Sequence, residues 1–419
     1  MTDETASMTL AIDGGDPVRT DPFPPRHMFG EEEKRVVVEL FDRCIETGGS
    51  IGYNSDNEMA YCHEFAEFQG GGFVDAVNSG TNALYVALQA LELEPFTEVI
   101  VPPITDPGGM MPVPLLNLIP VVADAAPDSF NSSAEQIKAR LTDRTTAIVV
   151  AHISGIPAEI DRIAEVARDA GVPLIEDCSQ SHGATYDGQR VGTFGEIAIF
   201  STMSGKHHAT GPQGGAVFTR DEDLYGKCRR ASDRGKAFNL PGGSSNCMAG
   251  LNHNLNDLSA AIGRVQLGKL PATIANRRRN AVALAERCRD LANVEIVLGP
   301  SRGEAVFWFI FVRFDAAKIS VPMSDFAAAL AAEGIPVGAH YRYLPSTDDW
   351  FVNKKVFGTS GYPWRCPLYK GDPDASFALP NAEAVTACHF TLKFHENCGE
   401  QEVADAFAAL EKVEAAYLK

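Results

Sequence analysis

The sequence predicts an α/β protein in which a large domain, built on a mainly parallel sheet covered by helices, precedes a smaller α+β domain. Three observations carry that expectation. Between about residues 70 and 220, short β-branched runs alternate with helical patterns, the signature of strands joined by crossover helices. One crossover unit is visible whole: Ile160, Ile163, Val166, Ala167 and Ala170 supply an apolar helix face, Gly171-Val172-Pro173 stops it, and Leu174-Ile175 begins a strand. Beyond about residue 275, helical patterns at 281–291, 324–333 and 400–417 mix with strand-like runs at 294–298 and 305–314.

The elements follow in order. Residues 1–30 read as an arm, because Gly14-Gly15-Asp16-Pro17 and Pro22-Phe23-Pro24-Pro25 block regular structure. From Glu31, the spacing of Val36, Val37, Leu40, Phe41 and Cys44 predicts an amphipathic helix that ends at Gly48-Gly49. The strand runs are 97–101, 119–122, 147–151, 172–175, 197–200 and 215–219. A polar, glycine-rich stretch at 240–246 then leads to a helical segment over 258–270. The expected divisions are therefore an arm over 1–30, a large domain over 31–272 and a small domain over 273–419.

A chain of 419 residues with 45% hydrophobic and 22% charged residues is an ordinary globular composition. The net charge of −19, spread over many short acidic stretches, disfavours a polyanionic partner, so nucleic acid binding is not expected. Apolar runs such as Ala147-Ile148-Val149-Val150-Ala151 fall far short of the roughly 20 residues that span a bilayer. The first residues lack the basic start and apolar stretch of a signal peptide, so a cytoplasmic location is expected. Nine scattered cysteines without Cys-x-x-Cys spacing point neither to a disulfide framework nor to zinc.

Three sites, read together, carry chemistry. Lys206 lies between a buried-type strand, Ile197-Ala198-Ile199-Phe200, and the turn Thr210-Gly211-Pro212-Gln213-Gly214-Gly215. A lysine held there can form a Schiff base with an aldehyde, and partial burial lowers its pKa toward the reactive amine. Asp177 falls at the carboxyl end of a strand, where open α/β sheets bind ligands; its carboxylate can keep a pyridine nitrogen protonated. Asn78-Ser79-Gly80-Thr81-Asn82 precedes an apolar helical pattern, and the amides of such a helix start, with the Thr81 hydroxyl and that of Ser201, can seat a phosphate. The three requirements are those of pyridoxal 5'-phosphate. Gln180 is placed to donate to the ring oxygen. His182 reads equally as a packed histidine or a site residue. His207-His208 has no carboxylate or cysteine partner at metal-ligand spacing, so no metal site is expected.

With these residues in place, the chain resembles the DegT/DnrJ/EryC1/StrS family of pyridoxal phosphate dependent aminotransferases, which act on keto sugars and keto cyclitols. The likeness runs almost end to end, through Asn78-Ser79-Gly80-Thr81-Asn82-Ala83-Leu84, Ile175-Glu176-Asp177-Cys178-Ser179-Gln180-Ser181-His182-Gly183-Ala184, Val191-Gly192-Thr193-Phe194-Gly195, and Gly250-Leu251-Asn252-His253-Asn254-Leu255-Asn256-Asp257. The resemblance implies an aspartate-aminotransferase-like fold of type I with a seven-stranded sheet, and a homodimer with shared active sites. It also implies Lys206 as the cofactor lysine, Asp177 on the ring nitrogen and Gln180 near the ring oxygen. Thr81, Asn82 and Ser201 would meet the phosphate, with Asn252 reaching it from the other subunit. Asp106, His182, His207, His340, Tyr341 and His395 are candidate substrate contacts. Glutamate or glutamine is the implied donor. The opening Leu10-Ala11-Ile12-Asp13-Gly14-Gly15-Asp16-Pro17 is similar to members that aminate inososes in aminocyclitol antibiotic pathways.

Three positions depart from the family pattern. Asp106 stands where an aromatic residue usually stacks on the ring, so either another side chain covers the cofactor or the loop is rebuilt. Asn254 replaces a frequent arginine, and Ser204-Gly205 replaces the usual Pro-Thr before the lysine. Two rival readings follow: a pyridoxamine-dependent sugar dehydratase, disfavoured because Lys206 is retained, and a cofactor-fold sensor or binding protein that no longer transaminates.

Overall fold

The structure is a computed structural model that describes residues 9–241, 245–338, 341 and 343–419. Its centre is a seven-stranded sheet built from β1 (Phe73–Val77), β2 (Glu98–Val101), β3 (Ile119–Val122), β4 (Thr145–Ala151), β5 (Leu174–Asp177), β6 (Ile197–Ser201) and β7 (Gly215–Thr219), in the order β1-β7-β6-β5-β4-β2-β3. Strands β2 to β6 pair in parallel, and β7 runs antiparallel to both its neighbours. All seven are buried along nearly their whole length, which is why they read as continuous apolar runs rather than alternating ones. Buried acidic residues interrupt three of them: Glu98 opens β2, Glu176 and Asp177 close β5, and in β1 Asp75 accepts a hydrogen bond from Arg229 at 2.8 Å. That polar residue, after Gly70-Gly71-Gly72, hides the strand from a hydrophobicity pattern.

Helices cover both faces. They include α1 (Glu31–Thr47), α2 (Asp56–Phe68), α3 (Gly80–Ala90), α4 (Ile160–Ala170), α5 (Glu222–Ser232) and α6 (Asp257–Arg287). The crossover predicted at 161–171 is α4, whose Ile160, Ile163, Ala164 and Ala167 are buried. Gly171 ends it in the left-handed conformation at φ 67°, a position that favours glycine. The expected division at residue 272 falls inside α6, a single helix of 31 residues that contains Pro271. The segment 258–270 and the first part of 281–291, read as separate patterns, are thus one rod as far as Arg287, followed by a 3-10 turn over Cys288–Asp290.

The C-terminal part carries an antiparallel sheet of β8 (Val294–Ile296), β9 (Ile310–Phe314), β10 (Val337–Gly338) and β11 (His389–Leu392), ordered β8-β9-β11-β10, with α7 (Met323–Ala332) and α8 (Glu400–Tyr417) packed beside it. The arm lies along this part. Glu333, fully buried at the end of α7, accepts the amides of Ala11 at 2.9 Å and Val18 at 3.0 Å and pairs with Lys412 at 2.8 Å.

One carboxylate holds the functional end of the sheet together. Glu176 on β5 accepts the amides of Gly192 and Phe194 at 2.7 Å and Gly195 at 2.8 Å, and His152 Nε2 approaches it at 3.2 Å. Replacing it leaves three amides, one buried and two part-buried, without acceptors, each costing about 1–3 kcal/mol when water cannot reach it. Glu176→Ala is therefore expected to lower stability by roughly 3 kcal/mol or more in urea unfolding followed by circular dichroism. A loss below about 1 kcal/mol would contradict this account.

Candidate active site

The carboxyl ends of the parallel strands bring the predicted residues to one cavity, as the sheet topology requires. In the sheet register, Asp177 is the last residue of β5 and faces Ile199 of β6, two residues before Ser201. Ser201 in turn pairs with Gly215 of β7. The cavity holds about 380 Å³ and is lined from the large domain by Ser79, Gly80, Thr81, Thr105, Asp106, Asp177, Gln180, Ser201, Lys206 and Gln213, and from the other side by Trp308, Tyr341 and Tyr343.

The anion seat is the start of α3. Ser79 caps it, its hydroxyl accepting the Asn82 amide at 3.1 Å. A Cβ on Gly80 would stand 2.6 Å from the Ser201 Cβ, so glycine is what lets the helix start and the end of β6 close into one cradle. Thr81 and Ser201 line it. The Asn82 side chain instead donates to Asn78 Oδ1 at 2.6 Å and is not among the lining groups, a correction to its expected role. Its length and position on the helix turn it back along the helix rather than into the cradle.

Lys206 is buried at 6% exposure. Its loop leaves β6 through Thr202, whose hydroxyl bonds to that of Thr210 at 2.8 Å, and turns where the Lys206 amide donates to the Met203 carbonyl at 2.9 Å. From the arm, Arg26 donates to the carbonyls of Gly205 at 3.2 Å and Lys206 at 2.6 Å. This outside clamp compensates for the flexible Ser204-Gly205 approach. Burial brings the Lys206 amine down to about 8, against the opposing pull of Asp177 and then Asp106. Asp177 accepts the Ser179 amide at 2.9 Å, and burial pushes its carboxyl upward. A buried carboxylate with so little compensation fits a protonated ring nitrogen as its partner.

Gln180 has both ends assigned. Its Oε1 accepts the Ser154 amide at 2.7 Å, and Nε2 donates to the Tyr341 hydroxyl at 2.8 Å, leaving one amide hydrogen free for an oxygen on a bound ring. Asp106 resolves the departure noted in the sequence: its Oδ1 accepts the Gly108 amide at 2.9 Å and caps a single 3-10 turn, Pro107–Gly109. A Cβ on Gly108 would meet Thr81 Oγ1 at 2.2 Å, and one on Gly109 would meet Thr105 Oγ1 at 2.4 Å. The loop is rebuilt, and its bare backbone presses against the cofactor side of the cavity.

The histidines are placed differently from expectation. His182 and His207 are buried behind the cavity wall and do not line it. His182 Nδ1 lies 2.8 Å from His208 Nδ1, whose ring reaches the Tyr61 hydroxyl at 2.8 Å, while His207 Nε2 reaches the Val306 carbonyl at 3.2 Å. Burial keeps all three uncharged, His208 being brought down to about 3. His395 contacts the Pro24 carbonyl at 2.9 Å and ties the arm to the small domain, outside the cavity. His340 lies outside the described residues. Asn252 is exposed and away from its own chain's cavity, its side chain accepting both the backbone and side-chain N–H of Asn254. Trp308, Gln213, Thr105 and Tyr343 were not foreseen. Trp308, one of only three tryptophans, lies in the strand-like run 305–314, but nothing in the sequence ties that run to Lys206.

A lysine and a buried carboxylate in one cavity with a helix-start anion seat, on a sheet of this order, are the arrangement of a pyridoxal phosphate enzyme of fold type I. The chain belongs to the DegT/DnrJ/EryC1/StrS aminotransferase family, whose model matches residues 38–411. It is 31% identical over 417 residues to the L-glutamine:2-deoxy-scyllo-inosose aminotransferase of Streptomyces fradiae, covering 96% of this chain and 97% of that one. It is 30% identical to the GDP-perosamine synthase of Caulobacter vibrioides, over 83% of this chain and 88% of that one. Among solved structures, an aminotransferase from Psychrobacter cryohalolentis superposes with a TM-score of 0.83 at 26% identity, over 94% of this chain and 99% of that one.

The lowered Lys206 amine has a measurable sign. Below about pH 8 Nζ is protonated and cannot attack an aldehyde; above it the free amine predominates. The rate at which cofactor-free protein captures pyridoxal phosphate, followed by stopped-flow absorbance, is expected to rise through about pH 8 and then level. A rise centred above pH 10 would show that the lysine is not desolvated.

Proposed function

We propose that this chain moves an amino group from glutamine or glutamate to a ring ketone of a cyclitol or sugar, in secondary-metabolite or glycan biosynthesis, with pyridoxal 5'-phosphate as its cofactor. The observation that carries this reading is Lys206 Nζ buried in the cavity that also holds Asp177 and the α3 anion seat. Gly80, Thr81 and Ser201 would hold the phosphate, Asp177 the ring nitrogen and Gln180 the ring oxygen. The two relatives, named for an inosose and a GDP-sugar product, support a polyhydroxylated ring ketone as acceptor; the first, named for L-glutamine, favours that donor.

When bound, the cofactor supplies an electron sink for the pair left when a proton leaves the carbon bearing nitrogen. The protein does the rest. Lys206 Nζ, with an amine near neutrality, takes that proton and would return it to the carbon on the far side of the nitrogen. Asp177 stabilises positive charge at the ring nitrogen. Tyr341 orients Gln180, and Trp308, Tyr341 and Tyr343 line the same cavity. Neither the dehydratase nor the sensor reading has an observation of its own: Lys206 is present, buried and clamped.

The first test is absorbance of the purified protein and of Lys206→Ala. A band at roughly 400–430 nm that moves toward about 330 nm with glutamine, and is missing from the variant, is expected. Turnover of a keto cyclitol should fall at least about a thousandfold in Lys206→Ala. No band with added pyridoxal phosphate would sink the cofactor; a band no donor moves would sink transamination.

The same reading includes a homodimer with shared sites. Its support is the exposed position of Asn252, together with an uncovered apolar face on α1 formed by Val38, Phe41 and Ile45, the last 79% exposed. Mixing Lys206→Ala with Asn252→Ala chains tests it. If Asn252 completes the partner's cavity, mixed dimers recover activity that neither variant has alone. No recovery in dimers shown to be mixed by mass spectrometry would refute the sharing.

A further inference from the structure

Nζ of Lys206 lies 3.8 Å from the centroid of the Trp308 ring. The contact is built rather than incidental. Trp308 Nε1 donates to the Gly205 carbonyl at 2.8 Å, so the indole is fastened to the residue just before the lysine it faces. From behind, buried Arg277 donates to the carbonyls of Phe307 at 3.0 Å and Trp308 at 2.8 Å, and its guanidinium is paired with Glu396 at 2.7 Å. Glu396 also takes Arg26 at 2.7 Å, the residue that holds the Gly205 and Lys206 carbonyls. Ring and amine are therefore fixed to one another through a closed loop of contacts.

The other groups that act on this amine are few. Asp177 and Asp106 favour its charged form; His182 behind it is uncharged; Arg26 bonds to the Lys206 carbonyl. Asp106 is exposed and already engaged with Gly108, and Asp177 has a ring nitrogen to serve if the proposed function holds. An ammonium at Nζ would then have, among these groups, one unengaged stabiliser left: the electron-rich face of the half-buried indole, the strongest of the aromatic side chains for a cation.

We propose that Trp308 is a positioning residue, whose indole face holds Lys206 Nζ in its protonated state between taking a proton from the substrate carbon and giving it back. This rests on the proposed transamination, which alone requires that state. The step balances: the neutral amine gains the proton as the C–H bond breaks, the electron pair stays with the bound substrate, and the same proton leaves Nζ when the new C–H bond forms. Without the ring, a protonated Nζ would be free to swing toward Asp177 or the cavity mouth, and its proton would be lost to water.

The test uses the full-length protein cleared of any carbonyl on Lys206 with hydroxylamine. A brief pulse of isotopic acetic anhydride across pH 6 to 11, read by mass spectrometry on the Lys206 peptide, gives the midpoint at which the amine becomes reactive. Removing the π face in Trp308→Leu is expected to move the midpoint down by about one pH unit, whereas Trp308→Phe, which keeps a face and loses only the Gly205 bond, should move it by less than half as much. Protein grown with 5-fluoro- and then 5,6,7-trifluorotryptophan keeps the ring's shape and weakens its face, so the midpoint should fall stepwise, even should Trp308→Leu not fold. A midpoint indifferent to fluorination, or one that falls as far in Trp308→Phe as in Trp308→Leu, would overturn the proposal. Amino transfer from glutamine with an indifferent midpoint refutes the role of Trp308 alone; a sensitive midpoint with no transfer to any ketone refutes transamination and leaves the contact standing.

Discussion

One constraint organises this molecule: an amine must be kept out of water, near neutrality, without collapsing into a tight ion pair. Lys206 meets that constraint by burial. Desolvation lowers its affinity for a proton, while Asp177 and Asp106 act from a distance and no described carboxylate forms a salt bridge with it. Burying an amine costs free energy that the fold must supply elsewhere. It comes from backbone bonds that leave the loop no alternative: Thr202 with Thr210, the Lys206 amide with Met203, and Arg26 on two successive carbonyls.

That requirement explains why the arm and the small domain are not accessories. Arg26 belongs to the arm, Trp308 to the segment before β9, Glu396 to the stretch after β11, and Arg277 to the long helix α6. They meet in a part-buried charge cluster, Arg26–Glu396–Arg277, whose outer donors end on the lysine loop and on the Trp308 carbonyl. A helix that ran only to residue 272 would leave Arg277 outside the rod and the cluster without its second cation. The continuity of α6 through residue 272 is therefore part of how Arg277 reaches the site. Glu333 serves the same end at the far end of the arm, accepting two of its amides and one buried ammonium.

What could be read in the sequence, and what could not, divides along a physical line. Groups whose placement follows from strand direction and helix starts were legible: Asp177 at the end of β5, Ser201 at the end of β6, and Gly80 with Thr81 at the start of α3 are local consequences of a parallel sheet. So was the crossover α4, down to its glycine stop. The strand β1 was hidden because its buried Asp75 is acceptable only beside Arg229, more than a hundred residues away. Asn82 was misjudged because its partner, Asn78, lies one helical turn away on the same motif. His182 and His207 are open to more than one reading in sequence, and burial of His182 against His208 and of His207 against the Val306 carbonyl keeps them uncharged. Trp308 is the converse case, a residue with no local pattern whose role appears only when β6 and the chain before β9 meet.

The rebuilt loop at Asp106 shows how one substitution alters more than one residue. An aromatic side chain at that position would cover a ring by its own surface and would leave the following turn uncapped. Here Asp106 spends its carboxylate on the Gly108 amide, and the turn closes so far that neither Gly108 nor Gly109 has room for a Cβ against Thr81 and Thr105. The three residues are a unit: the cap makes the turn, the turn needs the glycines, and the glycines bring peptide backbone where a phenyl ring would otherwise stand. Because a carboxylate now sits at the exposed mouth and peptide replaces a ring face inside it, the cavity gains hydrogen-bonding groups where it would have had apolar surface. Such a wall suits an acceptor that presents hydroxyl groups around its ring, the class of ketone that the proposed function draws from the two relatives.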